Sequence, residues 1–424
     1  MDVSVIIPMY NVETKIERAI SSVLKQTIID SVEIICVDDG STDNTIKKVK
    51  EKNVDNIHVY NQHHLGPGIA RNLGISKATG RYIAFLDADD EFVDSNALEK
   101  MVYAAEEHNI PICGSLRKVV ENGEEKEVDL FSDFEIGKEG LEISYSEFQK
   151  DYDYQSYIYR KSLIDEYDIS FPVYERYEDP VFFVKAMAAA KEFYVVPVYL
   201  YKYYYESNKQ DIISNCIEDI LKGMRDCAQI ALDFNYKNLL YIIEDQTKNQ
   251  YWNNITQNMT TSRMALLMDI NDIYRKEFQS DLSVMKEILD VYSNYVVTKD
   301  QLRKVGISND LMRRLVLINL KQRSWNIYFE KKSLNKVVIH GLGTYGEILV
   351  DLLNQNNVNI VYAIDRNKTE LGNIVINQEY KDVDCDAVIV SLAEPEEIIR
   401  GYREIGIKAL AFKDMINELS EGLI

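Results

Sequence analysis

No apolar run in this chain approaches the ~18 residues that a membrane span needs. The opening segment, MDVSVIIPMY, lacks the basic start, apolar stretch and small-residue cleavage site of a signal peptide. Cysteine is scarce: Cys36, Cys113, Cys216, Cys227 and Cys385 lie scattered through 424 residues, none in a CxxC pair. That argues against a disulfide framework or a structural zinc site, and for reduced cytosolic thiols. Basic residues are in deficit, 48 Lys and Arg against 69 Asp and Glu, for a net charge of -21. A general nucleic-acid binder is not expected from that balance. Histidine is rare too, with His63-His64 as the one cluster, and no Ser/His/Asp or Cys/His arrangement suggests a covalent nucleophile. Proline is missing from residues 211–333.

What remains is ordinary globular material, 46% hydrophobic and 28% charged, long enough for two to four domains at ~100–200 residues each. Residues 1–210 alternate short apolar runs with helical periodicity. Strands are predicted at Val3–Pro8, Val32–Val37, Ile57–Tyr60 and Tyr82–Leu86, and helices at Glu13–Gln26, Thr45–Lys52 and Gly68–Thr79. Such alternation predicts a mostly parallel α/β sheet. Residues 211–333 keep the helical period without a strand signal, and residues 334–424 return to alternation.

Polar clusters sit just beyond the carboxyl ends of the predicted strands, where open α/β sheets bind ligands. Asp87-Ala88-Asp89-Asp90 follows the fourth apolar run. Two carboxylates one residue apart at a strand end can turn toward one hard cation, or form a solvated acidic turn. Asp38-Asp39-Gly40-Ser41 ends another strand, where a carboxylate can accept the imide N–H of a uracil or cap the next helix. Gly66-Pro67-Gly68-Ile69-Ala70-Arg71-Asn72 offers backbone N–H groups and a guanidinium at a helix start, a phosphate neighbourhood. Glu178-Asp179 precedes Pro180 and an apolar stretch, which suits a helix start as well as a catalytic acid pair. His63-His64 lies beside the glycine loop, as a surface pair or facing a ligand.

Together these pieces, with Val5-Ile6-Ile7-Pro8-Met9-Tyr10-Asn11 at the front, resemble the family 2 inverting glycosyltransferases of GT-A fold, from Val3 to about Ser207. The resemblance implies that Pro8 and Tyr10 wall the nucleotide base, with Glu13 near the ribose. It implies that Asp39 pairs with the base and Arg71 lies near the diphosphate. Asp89 would be the main ligand of a Mn²⁺ or Mg²⁺ ion, with Asp87 toward the ribose or a metal-bound water. Asp179 would be the base that deprotonates the acceptor hydroxyl, supported by Glu178. Many members carry an arginine after the base; here the segment reads Tyr201-Lys202-Tyr203-Tyr204-Tyr205-Glu206-Ser207. That leaves Lys202, Lys209 or a tyrosine as candidates at the leaving diphosphate.

Gly341-x-Gly343-x-x-Gly346 follows a predicted strand and opens a helix, and Asp365 ends the next strand. That is the dinucleotide-binding fingerprint in its proper context. It resembles the Rossmann-like halves of dehydrogenases and sugar acetyltransferases, and makes Gly341, Gly343, Gly346 and Asp365 a candidate second nucleotide site. Packing of strand on helix is the plainer role for the same glycines. Residues 301–336 invert the charge balance: Arg303, Lys304, Arg313, Arg314, Lys321, Arg323, Lys331, Lys332 and Lys336 interleave with Leu311, Trp325, Tyr328 and Phe329. A basic amphipathic helix with an aromatic end can lie on an anionic bilayer, or pack between domains.

The expectation is therefore an α/β chain: a GT-A domain over 1–210, a helical linker, acceptor or membrane-proximal region over 211–333, and a small Rossmann-like domain over 334–424. Its expected activity is metal-dependent, inverting transfer from a nucleotide sugar, UDP-linked first, to a glycan or lipid-linked acceptor in bacterial surface polysaccharide synthesis. The setting would be cytoplasmic, with peripheral membrane contact through 301–336 and homo-oligomer formation as further expectations. A sugar-phosphate nucleotidyltransferase and a non-catalytic nucleotide-binding scaffold are the alternatives.

Overall fold

A computed structural model of the chain describes residues 1–205, 216–257, 260–280, 282–283, 322–342, 346, 349–350, 353–354, 357–365, 374–381, 383–392 and 395–420. The chain divides into two compact units, Met1–Asn258 with Ala265–Met285, and Met259–Met264 with Lys286–Ile424. The described helices between residues 216 and 278 thus group largely with the N-terminal sheet. The expected boundary near 210 lies outside the described residues.

The N-terminal unit is built on a ten-stranded sheet. Its first half is β1 (Val3–Met9), α1 (Ile16–Leu24), β2 (Val32–Asp38), α2 (Thr45–Lys50), β3 (Ile57–Asn61), α3 (Pro67–Lys77) and β4 (Tyr82–Phe85). These strands pair in parallel in the order β3-β2-β1-β4. β2 and β4 are buried along their whole length, as strands covered on both faces must be. α1 turns Ile16, Ala19, Ile20 and Val23 inward at helical spacing. The chain steps from β1 outward to β2 and β3, then returns to place β4 on the other side of β1. That reversal opens a crevice at the carboxyl ends of β1, β2 and β4.

The second half departs from a parallel sheet. Further elements are β5 (Glu91–Phe92), α4 (Ala97–Glu107), β6 (Ile112–Glu121), β7 (Glu124–Val128), β8 (Leu141–Ser144), α5 (Tyr145–Phe148), β9 (Tyr157–Arg160), α6 (Lys161–Glu166), α7 (Glu178–Ala190) and β10 (Glu192–Tyr205). β9 runs antiparallel between β4 and β6, and β10 pairs parallel with β6 and antiparallel with β5 and β8. Helix Ile217–Asp233 is fixed to the segment before α7: Tyr174 donates to Asp226 Oδ2 (2.8 Å), and the Glu175 N–H donates to Asp219 Oδ2 (3.0 Å).

The C-terminal unit holds a five-stranded sheet of β11 (Lys336–His340), β12 (Asn359–Ile364), β13 (Ile376–Asn377), β14 (Ala387–Val390) and β15 (Ala409–Ala411). All pairs are parallel, in the order β13-β12-β11-β14-β15, the winding of open nucleotide-binding sheets. The helix expected over 347–355 falls largely outside the described residues, as do Gly343, Leu311, Arg303, Lys304, Arg313, Arg314 and Lys321. The aromatic end of the basic segment is described. Helix Gln322–Lys332 buries Trp325, Tyr328 and Phe329 in the core of this unit with Val337, Ile339 and Phe412. Those rings are therefore core, where a bilayer-facing helix would expose them. Among the described residues no helix is long and apolar enough to cross a membrane.

Trp325→Ala should accordingly cost about 3–5 kcal/mol of stability in the C-terminal unit, as large-to-small core changes do. Denaturant unfolding of the full chain checks this; unchanged unfolding would return the indole to the surface.

Candidate active site

The loops after β1 and β2 are clasped together. The Asn11 N–H donates to Ser41 Oγ (3.0 Å), Thr42 N–H to Asn11 Oδ1 (2.8 Å) and Val12 N–H to Thr45 Oγ1 (2.8 Å). Glu13 takes part: its Oε2 accepts from the Asn44 N–H at 2.9 Å, and its own N–H donates to Asp43 Oδ2 at 3.1 Å. Behind this clasp Asp39 is buried. Its Oδ1 accepts from Gln62 Nε2 (2.6 Å) and the Leu65 N–H (2.8 Å), and its Oδ2 from the Gly66 N–H (2.9 Å). The His64 Nδ1 lies 3.0 Å from the same Oδ2. The imidazole stacks on Tyr10, with ring centroids 4.1 Å apart and planes at 24°. Pro8 stands beside Val37 in the β1–β2 register, one residue before the strand end.

The second wall is a charged cluster around Arg71, which α3 carries into the protein. The guanidinium donates through Nη2 to Asp87 Oδ1 (2.8 Å) and through Nη1 to Glu178 Oε1 (2.9 Å). The rings of Tyr154 and Phe171 lie 5.1 and 5.3 Å from it. Arg71 thus joins the loop after β4 to the start of α7. Asp87 is held further by Tyr154 (3.3 Å to Oδ1) and Gln155 Nε2 (3.1 Å to Oδ2). Burial raises the Asp87 pKa, but the Arg71 charge and these hydrogen bonds outweigh it and hold the carboxyl below the usual range. Asp179 goes the other way. Burial, then the neighbouring Glu178 charge, push it up to about 7. Among the described residues its carboxylate accepts from no other side chain.

On the α1 side, Lys15 Nζ stands 3.9 Å from Asp89 Oδ2, and the Arg18 guanidinium donates to the Asp89 carbonyl while lying 3.6 Å from the Tyr204 ring centroid. Asp90 is buried and pushed up to about 8, first by burial and then by the Asp87 charge. It accepts from the Tyr201 hydroxyl (2.5 Å) and the Tyr204 N–H (2.8 Å), tying the end of β10 to the acidic turn. Lys202 points elsewhere: it pairs with Glu91 (3.1 Å) and Glu125 (2.8 Å). Lys209 lies outside the described residues.

The fold therefore gathers Pro8, Tyr10, Glu13, Asp39, Arg71, Asp87, Asp89, Glu178 and Asp179 around the carboxyl ends of β1, β2 and β4. Composition and spacing gave no reason to single out Lys15, Arg18, Tyr154 or Gln155. The only signal for them would have been helical spacing from the clasp on α1, and proximity to β9. In the other unit, Gly341 takes a φ of +96°, and a Cβ on Gly346 would sit 2.2 Å from the Gly341 carbonyl oxygen. Asp365 Oδ2 accepts from the Leu342 N–H at 2.6 Å, so it reaches back to the glycine turn.

Residues 4–168 match the family model described as Glycosyl transferase family 2. The uncharacterized glycosyltransferase EpsJ of Bacillus subtilis (strain 168) is 43% identical over 114 residues, 26% of this chain and 33% of EpsJ. The UDP-Glc:alpha-D-GlcNAc-diphosphoundecaprenol beta-1,3-glucosyltransferase WfgD of Escherichia coli is 40% identical over 121 residues, 28% of this chain and 47% of WfgD. The crystal structure of S. aureus TarS 1–349 in complex with UDP superposes with a TM-score of 0.56 at 23% identity, covering 72% of this chain and 92% of that one. The likeness to TarS is one of fold. The family match is confined to residues 4–168, and the chain spans between a third and one half of EpsJ and WfgD.

Because the buried Arg71 bridges the buried Glu178 and the partly buried Asp87, Arg71→Met should destabilise the N-terminal unit by about 3–5 kcal/mol, the cost of breaking a buried pair from one side. Adding Asp87→Asn and Glu178→Gln to that variant should recover part of the loss. Urea titrations of the three proteins check both statements; an unchanged midpoint in Arg71→Met would contradict them.

Proposed function

We propose that the chain is an inverting glycosyltransferase that moves a sugar from a nucleoside diphosphate donor, a UDP-sugar first, onto a hydroxyl of a glycan or lipid-linked acceptor in bacterial surface polysaccharide synthesis. One observation carries this reading: Asp179, a carboxyl that burial and the Glu178 charge push up to about 7, stands in the first turn of α7 beside an acidic strand-end turn to which Arg71 ties that helix start through Glu178. A base that must take a proton from a sugar hydroxyl near neutral pH works best with such a value. The activity that the name of WfgD states, from UDP-Glc to a diphosphoundecaprenol-linked sugar, supports the donor and acceptor classes.

The base seat follows from Tyr10 and Asp39. His64 makes the two contacts that a uracil ring would make, a stack on Tyr10 and a ring nitrogen at Asp39 Oδ2. The His64 side chain is 61% exposed and can turn outward, leaving the stack and the acceptor to an imide N–H. Among the described residues no three His, Cys, Asp or Glu side chains converge as an all-protein metal site needs. Both Asp87 oxygens are committed to protein donors, whereas the Asp89 side chain is 41% exposed. That set fits Mn²⁺ or Mg²⁺ held by Asp89 together with donor phosphate, the sparse ligation such cations accept. A divalent cation there supplies positive charge to the leaving diphosphate.

The chain's own residues do the rest. Lys15 and Arg18 face Asp89 from α1 and add cationic charge on the leaving-group side, the role the sequence left open for Lys202 or Lys209. Asp179 takes the acceptor proton as the hydroxyl attacks the anomeric carbon, the diphosphate departs from the opposite face, and the centre inverts in one displacement. The cytoplasmic setting belongs to this reading. For the C-terminal unit, the close Gly341–Gly346 approach and the Leu342–Asp365 bond support packing over a second nucleotide site.

Asp179→Asn keeps the shape and removes the basicity, so turnover should fall on the order of 10²-fold or more with UDP affinity kept. In the wild type the base must be ionised, so kcat/KM should rise with pH through a limb near 7 and level off above it. A flat profile between pH 5 and pH 9, or near-normal turnover by Asp179→Asn, would assign the proton elsewhere. Asp89→Asn should abolish the dependence of UDP affinity on added Mn²⁺ in calorimetric titrations; a variant that keeps that dependence would contradict the ligation.

A further inference from the structure

Asp179 has no side-chain partner of its own among the described residues, so its direction is set by the backbone that enters α7. That backbone is unusual. Tyr177, the residue before the helix, has a φ of +69°, the left-handed region that bulky side chains rarely adopt. A residue is kept there only when its surroundings over-determine it. They do so here from three sides. The Tyr177 hydroxyl donates to Asp151 Oδ2 at 2.8 Å and also meets the side-chain amide of Gln246, whose Nε2 donates to the same Asp151 oxygen at 2.9 Å. The buried ring packs against Gly223 of helix Ile217–Asp233, where an added Cβ would lie 2.6 Å from Tyr177 Cδ1 and 2.9 Å from its carbonyl oxygen. Tyr251 meets the ring edge-on, with centroids 6.5 Å apart.

Asp151 is itself buried, and its Oδ1 accepts no hydrogen bond. A fully satisfied apolar replacement would be easier to bury than this half-used carboxyl. Its retention beside Tyr177 is explained if the pair serves α7. Gln246 belongs to the stretch Gln246–Gln250, a wider helical turn of the kind that often marks functional positions. The helices beyond residue 216 thereby reach the reacting end of α7 through Gly223 and Gln246.

We propose that Tyr177, anchored by Asp151 and Gln246 and seated on Gly223, is a positioning residue that locks the left-handed entry to α7 and so aims the Asp179 carboxylate at the acceptor hydroxyl. The proposal rests on the reading of Asp179 as the base. Misplacing a base by about an ångström can cost ~10²-fold in rate, and a loosened helix start also admits water to a carboxyl whose pKa burial has raised.

The test compares wild type, Tyr177→Phe, Asp151→Ala and Asp151→Asn in the full chain, with UDP-glucose and UDP-N-acetylglucosamine hydrolysis as the assay and UDP calorimetry beside it. Tyr177→Phe keeps the ring on Gly223 and removes the hydroxyl. Its kcat should fall about 10- to 100-fold with KM and UDP affinity within twofold, and its pH limb should move down from near 7 toward the ordinary carboxylate range. Asp151→Asn, which still offers an acceptor, should retain most of the activity that Asp151→Ala loses. A lower melting temperature with unchanged kcat and an unmoved limb would overturn the proposal and leave Tyr177 as packing alone. A wild type that neither binds UDP nor consumes either donor would overturn the glycosyltransferase reading itself, and this inference with it.

Discussion

Arg71 holds two parts of the site that the chain order keeps far apart. Its guanidinium takes one carboxylate from the turn after β4 and one from the first turn of α7, residues 87 and 178, at 2.8 and 2.9 Å. One buried cation between two acids sets every neighbouring charge. Asp87 stays ionised because it shares the guanidinium. Asp179, one residue beyond the second acid, is pushed up first by burial and then by the Glu178 charge beside it, and the Arg71 charge only partly offsets them. Arg71 therefore holds Asp87 as an anion, while burial and Glu178 hold Asp179 well above the usual carboxylate range.

Around that bridge the remaining contacts divide the labour. The clasp between the loops after β1 and β2 presents Tyr10 and Asp39 as one wall, with His64 resting on both. α1 brings Lys15 and Arg18 to the acidic turn, and Asp90 fastens that turn to β10 through Tyr201 and Tyr204. The buttress under α7 comes from helices that the sequence alone would have set apart as a separate region. The paired charges of this cluster lie inward, while Tyr10, His64 and the half-exposed Asp89 face solvent.

The parallel half of the sheet was legible in the sequence because each strand there is a short apolar run between helical periods. Val3–Met9, Val32–Asp38, Ile57–Asn61 and Tyr82–Phe85 fall within a residue or two of the runs that predicted them. The antiparallel half was not, because β9 and β10 are tyrosine-rich strands whose partners lie 40 or more positions away, and pairing of that kind leaves no local mark. The motif residues declared themselves through spacing at strand ends. Their partners, Lys15, Arg18, Tyr154 and Gln155, did not, since a lysine on a helix or a tyrosine before a strand is unremarkable until the fold brings it to a carboxylate. The basic segment left two readings open for a related reason. Interleaved aromatics at helical spacing suit a bilayer and a core equally well, and Trp325, Tyr328 and Phe329 went to the core.

The central claim is that burial beside Glu178 lifts the Asp179 carboxyl toward neutral pH, against the pull of Arg71. Carboxyl-carbon NMR of ¹³C-labelled aspartate in the full chain measures this without substrate, with Asp179→Asn identifying the resonance. The account predicts an Asp179 titration centred near 7, moving down in Glu178→Gln as the neighbouring charge is removed. A titration in the ordinary carboxylate range, at about 4, would contradict it.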